Sequence, residues 1–234
     1  LTDAGKFYQK EIQELLKNLE RINIQTKKIS ENHSGEFRIA YVSSTFSGDI
    51  SKLIQFLSNE YPFVNFRLYE VPTVKQIVAL EEGKIDFGII RAPLHSPKID
   101  SKLWFKDSFS LVFNRNNYNI NSEDEFEKLN QATFVFFNKQ YAPYFYDALL
   151  QICAQYGFNP KVVHESNNIS SIIQLVKNGL GISIVPTAIM KSHNYPELAF
   201  VELKKVQLYT DILLATPKGI ESEISKAAIQ FLME

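Results

Sequence analysis

Apolar positions follow two rhythms along this chain, and the change from one to the other falls near Gly35. In "LTDAGKFYQKEIQELLKNLERINIQTKKIS" apolar or near-apolar residues recur at Tyr8, Ile12, Leu15, Leu19, Ile22, Thr26 and Ile29. Their alternating four-three spacing averages about 3.5 residues, which is a heptad seam. It predicts a long amphipathic helix with Thr2 as N-cap and with Asp3 in the first turn, where a carboxylate suits the positive end of the helix dipole. At ~1.5 Å per residue, one continuous helix here would reach about 45 Å. Such a helix either folds back on its own domain or pairs with a second copy. The polar stretch "SENHSG" separates it from the rest of the chain and favours pairing, with Tyr8, Ile12, Leu15, Leu19 and Ile22 as the dimerisation face.

Beyond Gly35, strand patterns alternate with helical ones, the signature of parallel sheets with crossover helices. "EFRIAYV", "FVNFRLYEV" and "IDFGII" read as strands. Between them lie "DISKLIQFLSNEYP", a helix with Ile50, Leu53, Ile54 and Leu57 on one face, and "TVKQIVALEEG", a helix ending at Gly83. "LWFKD" and "SFSLVFN" close this block as extended runs. A second block opens with "SEDEFEKL", where Ser122 followed by Glu125 predicts a capping box, so that its carboxylates are helix-start chemistry and not a catalytic or calcium site. "TFVFFN", "KVVHE" and "GISIVP" then read as strands, with helices "APYFYDALLQICAQYG" and "NISSIIQLVKNG" between them. Sliding the sequence by 95 residues lays Glu70, Val74, Ile77, Ile89 and Ile90 over Glu165, Ile169, Ile172, Ile184 and Val185, so one architecture is repeated. Past Pro186 come a short helix, "TAIMKS", strands "AFVEL" and "LYTDILLAT", and the amphipathic helix "ESEISKAAIQFLME". Two like lobes imply a cleft between them. The chain is expected to cross out of the first lobe near Phe113 to Arg115 and to return near Leu214 to Pro217.

Composition narrows the picture. With 234 residues, 45% apolar and 22% charged, the chain can bury the core of one large or two small domains. No apolar run approaches the roughly 18 residues of a membrane span, and the front segment is too charged for a secretory signal. The single cysteine, Cys153, excludes an intramolecular disulfide and fits a reducing, cytoplasmic setting. His33, His95, His164 and His193 lie far apart, with no i,i+4 pair or cysteine cluster, so no metal site is expected. A net charge of −1 and a pI near 6.5 give no basic field for nucleic acid. Any DNA contact is therefore expected outside this chain.

Motifs for catalysis or cofactors are missing. "GLGISIV" precedes a strand and lacks the third glycine of a dinucleotide fingerprint, which follows a strand and opens a helix. There is no Walker lysine, and Ser183 is not in a G-x-S-x-G elbow. No cofactor is expected. Polar residues do gather where parallel strands end and helices begin, the place where open α/β sheets bind ligands. "YVSSTFSGD" places Ser43, Ser44 and Thr45 there, beside a helix start able to hold an anion. "EVPT" adds Thr73 and "IIRAP" adds Arg91. In the second block "FFNKQY" supplies Asn138, Lys139 and Tyr141, and "ESNN" supplies Ser166, Asn167 and Asn168. Serines and asparagines also cap helices, and Arg91 can equally serve a carboxylate of the protein itself. Arg91 together with the helix starts favours a small carboxylate or similar anion as ligand.

These motifs together resemble a LysR-type transcriptional regulator lacking its N-terminal winged helix-turn-helix. "LTDAG" is similar to the L-T-x-A-G that opens the family's linker helix, "LEEGKIDFGII" to L-x-x-G-x-L-D-x-x-I, "YGFNP" to G-F-x-P, and "LVKNGLGISIVP" to L-V-x-x-G-L-G-I-x-x-V-P. "GEFRIA" resembles the first strand of the effector-binding domain, and "NEYPFVNFRLYE" its E/R-Y-P-x-V stretch. Where the family commonly has His-Pro-Leu near the crossover strand, this chain reads "NRNNYNI". The resemblance implies two Rossmann-like α/β lobes joined by hinge strands, like periplasmic binding proteins, preceded by a linker helix. Residues 1–34 would be the linker, 35–115 with 217–234 the first lobe and 116–216 the second. It further implies an inducer site between the lobes, drawing on Ser43, Ser44, Thr45, Thr73 and Arg91 from one side and on positions such as Asn138 and Asn167 from the other. A homodimer or homotetramer, operator DNA held through the preceding domain, and RNA polymerase are the implied partners. A free-standing solute-binding protein of the same fold, or an enzyme built on it, are the rival readings.

Overall fold

The computed structural model describes residues 1–30, 35–220 and 222–234. Helix α1 runs Asp3–Ser30, with Thr2 Oγ1 accepting from the N–H of Gly5 at 3.2 Å as the expected N-cap. Tyr8, Ile12, Leu15 and Leu19 on its seam are exposed, so this stretch is not folded back into the core. The side chain of Ile22, and those of Thr26 and Ile29, lie outside the described residues, as do His33 and most of "SENHSG".

The first lobe is built from β1 (Gly35–Tyr41), α2 (Gly48–Glu60), β2 (Val64–Glu70), α3 (Thr73–Glu81), β3 (Phe87–Arg91) and β4 (Ile99–Phe105). Two elements from the end of the chain complete it, β10 (Ile212–Pro217) and α6 (Glu223–Met233). Its sheet has the order β2-β1-β3-β10-β4, with β1 parallel to β2 and β3, and β10 antiparallel to β3 and β4. Alternation along the strands feeds both faces. Phe37, Ile39, Phe87 and Ile89 meet Ile50, Leu53 and Leu57 of α2 and Ile224, Ala228 and Leu232 of α6 on one side. Ala40 and Ile90 meet Leu80 of α3 on the other. At Gly88 a Cβ would come within 3.1 Å of Leu80 Cδ1, so glycine lets α3 lie close to the sheet.

The second lobe comprises β5 (Phe109–Asn114), β6 (Thr133–Phe137), α4 (Pro143–Gln155), β7 (Lys161–Ser166), α5 (Ile169–Lys177), β8 (Ser183–Pro186) and β9 (Leu198–Glu202). Strands β8-β5-β9 form an antiparallel sheet and β6–β7 a parallel pair. The two are stitched together beside the start of β8, where Val135 N donates to Ile182 O at 2.8 Å and Ile182 N to Thr133 O at 2.9 Å. Gly179 and Gly181 take φ of +77° and +148°, which explains "GLG" as a helix-to-strand turn. Cys153 is a buried core residue whose thiol is pushed up to about 12 by burial.

Three expectations need correction. The outward crossing lies before β5, not at Phe113 to Arg115. Phe109, Leu111 and Phe113 belong to the second lobe's core, and β5 is the centre of its sheet. An apolar run buried on both faces reads the same in either sheet. The return likewise comes earlier than Leu214, since Ile212 already pairs with Arg91. The capping box at Ser122 does not form either: Glu123–Gln131 is a 3-10 helix with no side-chain cap. Glu125 accepts instead from the N–H of Asn121, and Glu123 accepts from Tyr156 Oη and from the N–H groups of Lys204 and Lys205. Desolvation pulls Glu123 upward, but these donors outweigh it and leave its pKa below the ordinary value.

Candidate functional site

Strand ends from the first lobe and a loop and helix from the second enclose a cleft of about 560 Å³, part of it open to solvent. Val42, Ser43 and Ser44 follow β1, Pro72, Thr73 and Val74 open α3, and Arg91 and Ala92 end β3. Opposite them stand Phe137 at the end of β6, Tyr141 and Ala142 in the next turn, and Pro143, Tyr144 and Phe145 in the first turn of α4. One wall carries hydroxyls and a guanidinium; the other is almost wholly aromatic and apolar. Helix α3 has Pro72 as N-cap, which offers no side-chain acceptor, so its positive end is left open towards the cleft.

Arg91 is the centre of this arrangement. Nη1 donates to the carbonyl and to Oγ1 of Thr210, both at 2.7 Å, and Nη2 donates to Ser44 Oγ at 2.8 Å. Asp107 Oδ2 lies 3.5 Å from Nη1, with both side chains buried. The guanidinium carbon sits 5.6 Å from the centre of the Phe145 ring. Burial lowers the pKa of Arg91 to about 10, against the attraction of Asp107. Burial likewise raises Asp107 above the ordinary carboxyl value, against the pull of Arg91 and of the Ala188 N–H. Asp107 lies between β4 and β5, and Thr210 lies between β9 and β10, so Arg91 grips both segments that join the lobes.

Of the residues singled out in the sequence, Ser43, Ser44, Thr73, Arg91 and Tyr141 line the cleft. Thr73 Oγ1 is engaged with the backbone of Arg91, accepting from its N–H at 3.1 Å and donating to its carbonyl at 3.2 Å. Thr45, Asn138 and Asn167 do not line it. Thr45 is buried and donates to Val42 O at 2.8 Å, closing the 3-10 turn Ser43–Thr45. Asn138 Oδ1 accepts from the N–H groups of Gln140 and Tyr141, and its Nδ2 donates to Glu165 at 2.7 Å, so it shapes the turn before α4. Asn167 is exposed. Its neighbour Asn168 caps α5 and donates to Glu70 Oε1 at 2.8 Å across the lobes. There Ser43 Oγ also accepts from the N–H of Ile169 at 3.4 Å. The aromatic wall is silent in the sequence because Phe137, Tyr144 and Phe145 sit in runs whose apolar pattern reads as core. No group of three or more potential metal-ligating side chains occurs among the described residues, and no described helix is long and apolar enough to cross a membrane.

The sequence profile of the LysR substrate binding domain matches residues 30–234. The chain belongs to the LysR family. It is similar to the HTH-type regulator YnfL of Escherichia coli (strain K12), 26% identical over 99% of this chain and 77% of YnfL. It is also similar to the HTH-type regulator CatR of Pseudomonas putida, 24% identical over 100% of this chain and 80% of CatR. Among solved structures, the BenM effector-binding domain with its effector benzoate matches with a TM-score of 0.69 at 23% identity, covering 85% of this chain and 90% of that one. Full-length CbnR complexed with its target DNA matches with a TM-score of 0.69 at 17% identity, covering 99% of this chain and 79% of that one. The LysR fold of two lobes and a cleft is therefore the one seen here, and the relatives are regulators of transcription, not enzymes.

Proposed function

We propose that this LysR chain is the sensing part of a transcriptional regulator and that its cleft takes a small carboxylate. The anionic end would meet Arg91, Ser44 and the open start of α3, and the apolar body would lie against Phe137, Tyr144 and Phe145. The observation that carries this reading is the guanidinium of Arg91. It is buried at the cleft wall, and its Nε–H and second Nη2–H have no acceptor among the described residues. A carboxylate would satisfy them with a charge-assisted pair of hydrogen bonds. Benzoate on the BenM domain is a ligand of the same chemistry.

Binding between lobes favours one inter-lobe angle over another by differential affinity. Helix α1, with Tyr8, Ile12, Leu15 and Leu19 exposed, is read as the contact to a second copy, and a helix-turn-helix domain before it as the contact to operator DNA. Thermal melting with benzoate, acetate and succinate tests the ligand reading: at least one should raise the melting temperature, and Arg91→Gln should remove the effect. A shift unchanged in Arg91→Gln would take Arg91 out of the site.

A further inference from the structure

Arg91 is not a bare cation waiting for an anion, because Asp107 already balances its charge at 3.5 Å. Asp107 Oδ1 accepts from the N–H of Ala188 at 3.0 Å, whereas its Oδ2 is buried without a hydrogen-bond donor. A carboxylate brought to Arg91 would leave one cation facing two anions, one of which, Asp107, is buried. Holding that surplus negative charge next to a buried carboxylate is unfavourable, and two carboxylates that share one guanidinium relieve it when one of them takes up a proton. The groups around Asp107 leave few alternatives. Arg91, from β3, is the charged side chain facing it, and the turn Thr187–Lys191 presents the Ala188 N–H. The return segment presents Thr210 to the same guanidinium. Lys106 turns to the ring of Tyr209, 5.7 Å away. Asp211 is the second nearby carboxyl with a buried oxygen lacking a partner.

We propose that an anionic effector binds together with one proton, taken up at Asp107 Oδ2, so that Asp107 makes the sensor respond to pH as well as to its ligand. This rests on the reading of the cleft as a carboxylate site. The proton is given up by the acid form of the solution buffer, which is left as its conjugate base; it converts the Asp107 carboxylate to a neutral acid, while Arg91 stays protonated and turns its charge to the ligand. Burial already holds Asp107 above its ordinary range, and losing Arg91 to a ligand raises it further. Uptake takes place between the free and the bound values. Affinity therefore falls as pH rises through that window, by up to about tenfold per pH unit for one proton.

Titration calorimetry of the chain with benzoate and with acetate, in two buffers of unlike protonation enthalpy at pH 6 and pH 8, counts the protons. The expected result is net uptake approaching one proton per anion and a Kd that is weaker by about tenfold or more at the higher pH. Asp107→Asn should bind the same anions more tightly, without uptake and without pH dependence, while Asp211→Asn should behave as the native chain does. Binding by the native protein without proton exchange, or uptake that survives in Asp107→Asn, overturns the proposal and leaves the carboxylate reading intact. If neither the native chain nor Asp107→Asn binds either anion, the carboxylate reading falls and takes this proposal with it. Should Asp107→Asn fail to fold, the proton count on the native chain decides alone.

Discussion

The two lobes are built to one plan and finished differently. Helices α2 and α4 are both 13 residues and begin 95 positions apart, at Gly48 and Pro143; α3 and α5 are both nine residues, from Thr73 and from Ile169. Ninety-five positions after Thr73 stands Asn168, and the same step takes Arg91 to Pro186. In the second lobe Asn168 closes the start of α5, its Oδ1 accepting from the N–H groups of Ser170 and Ser171. In the first, Thr73 turns its hydroxyl to the end of β3, and the start of α3 stays uncapped. At this pair of helices the second lobe satisfies the helix start internally, although at the other pair the order is reversed, Ser47 capping α2 while α4 starts at Ala142 with no side-chain cap. The second lobe also sets aromatic rings against the cleft. The other has left polar groups facing it. The proposed ligand would read both walls with a polar end and an apolar one, and the difference would fix its orientation.

The sharpest way to break this contrast is at the charge pair. Arg91→Met should destabilise the chain by about 3–5 kcal/mol in urea unfolding because it orphans Asp107, and adding Asp107→Leu should recover most of the loss. On the other wall, Phe145 packs against Phe109 and Phe137 at ring distances of 5.7 and 5.3 Å. Phe145→Ala should cost about 3 kcal/mol and weaken benzoate more than acetate in calorimetry. Equal losses for the two anions would show that the ring does not hold the ligand body. Asn168→Ala should cost about 1 kcal/mol through the lost cap, measured by the urea midpoint. The smallest effect is in pH. Glu123 has a depressed pKa, so its contribution is present above its unfolded value and is lost as pH falls through the folded one. Melting curves from neutral pH down to pH 3 should therefore fall less steeply for Glu123→Gln than for the native chain.

Most of the architecture is legible in apolar periodicity, since each strand and helix buries a face whose spacing is its signature. What periodicity cannot say is which sheet a doubly buried strand joins, and for that reason it puts the run "SFSLVFN" in the wrong lobe. The site divides in the same way. Ser44, Thr73 and Arg91 stand out because the ends of parallel strands are where open α/β sheets bind ligands, although Thr73 and Arg91 also serve the protein itself. Thr45 has one, closing a turn, and sequence does not distinguish the two uses. Asp107 carries no signal, because a lone carboxylate after a strand looks like a surface residue. Only the crossing of distant segments places it beside Arg91.

That crossing has a mechanical side. Arg91 holds Thr210 and Asp107, one on each strap between the lobes, so the proposed ligand contact lies near the axis about which they would turn. Near a pivot, displacement is small and the lever arm to the periphery is long. If the lobes turn there, an adjustment of a fraction of an ångström at the guanidinium would be multiplied towards the outer ends of α4 and α2, in proportion to their distance from the straps. A small molecule would not have to push the lobes apart; it would only have to alter the grip on the axle.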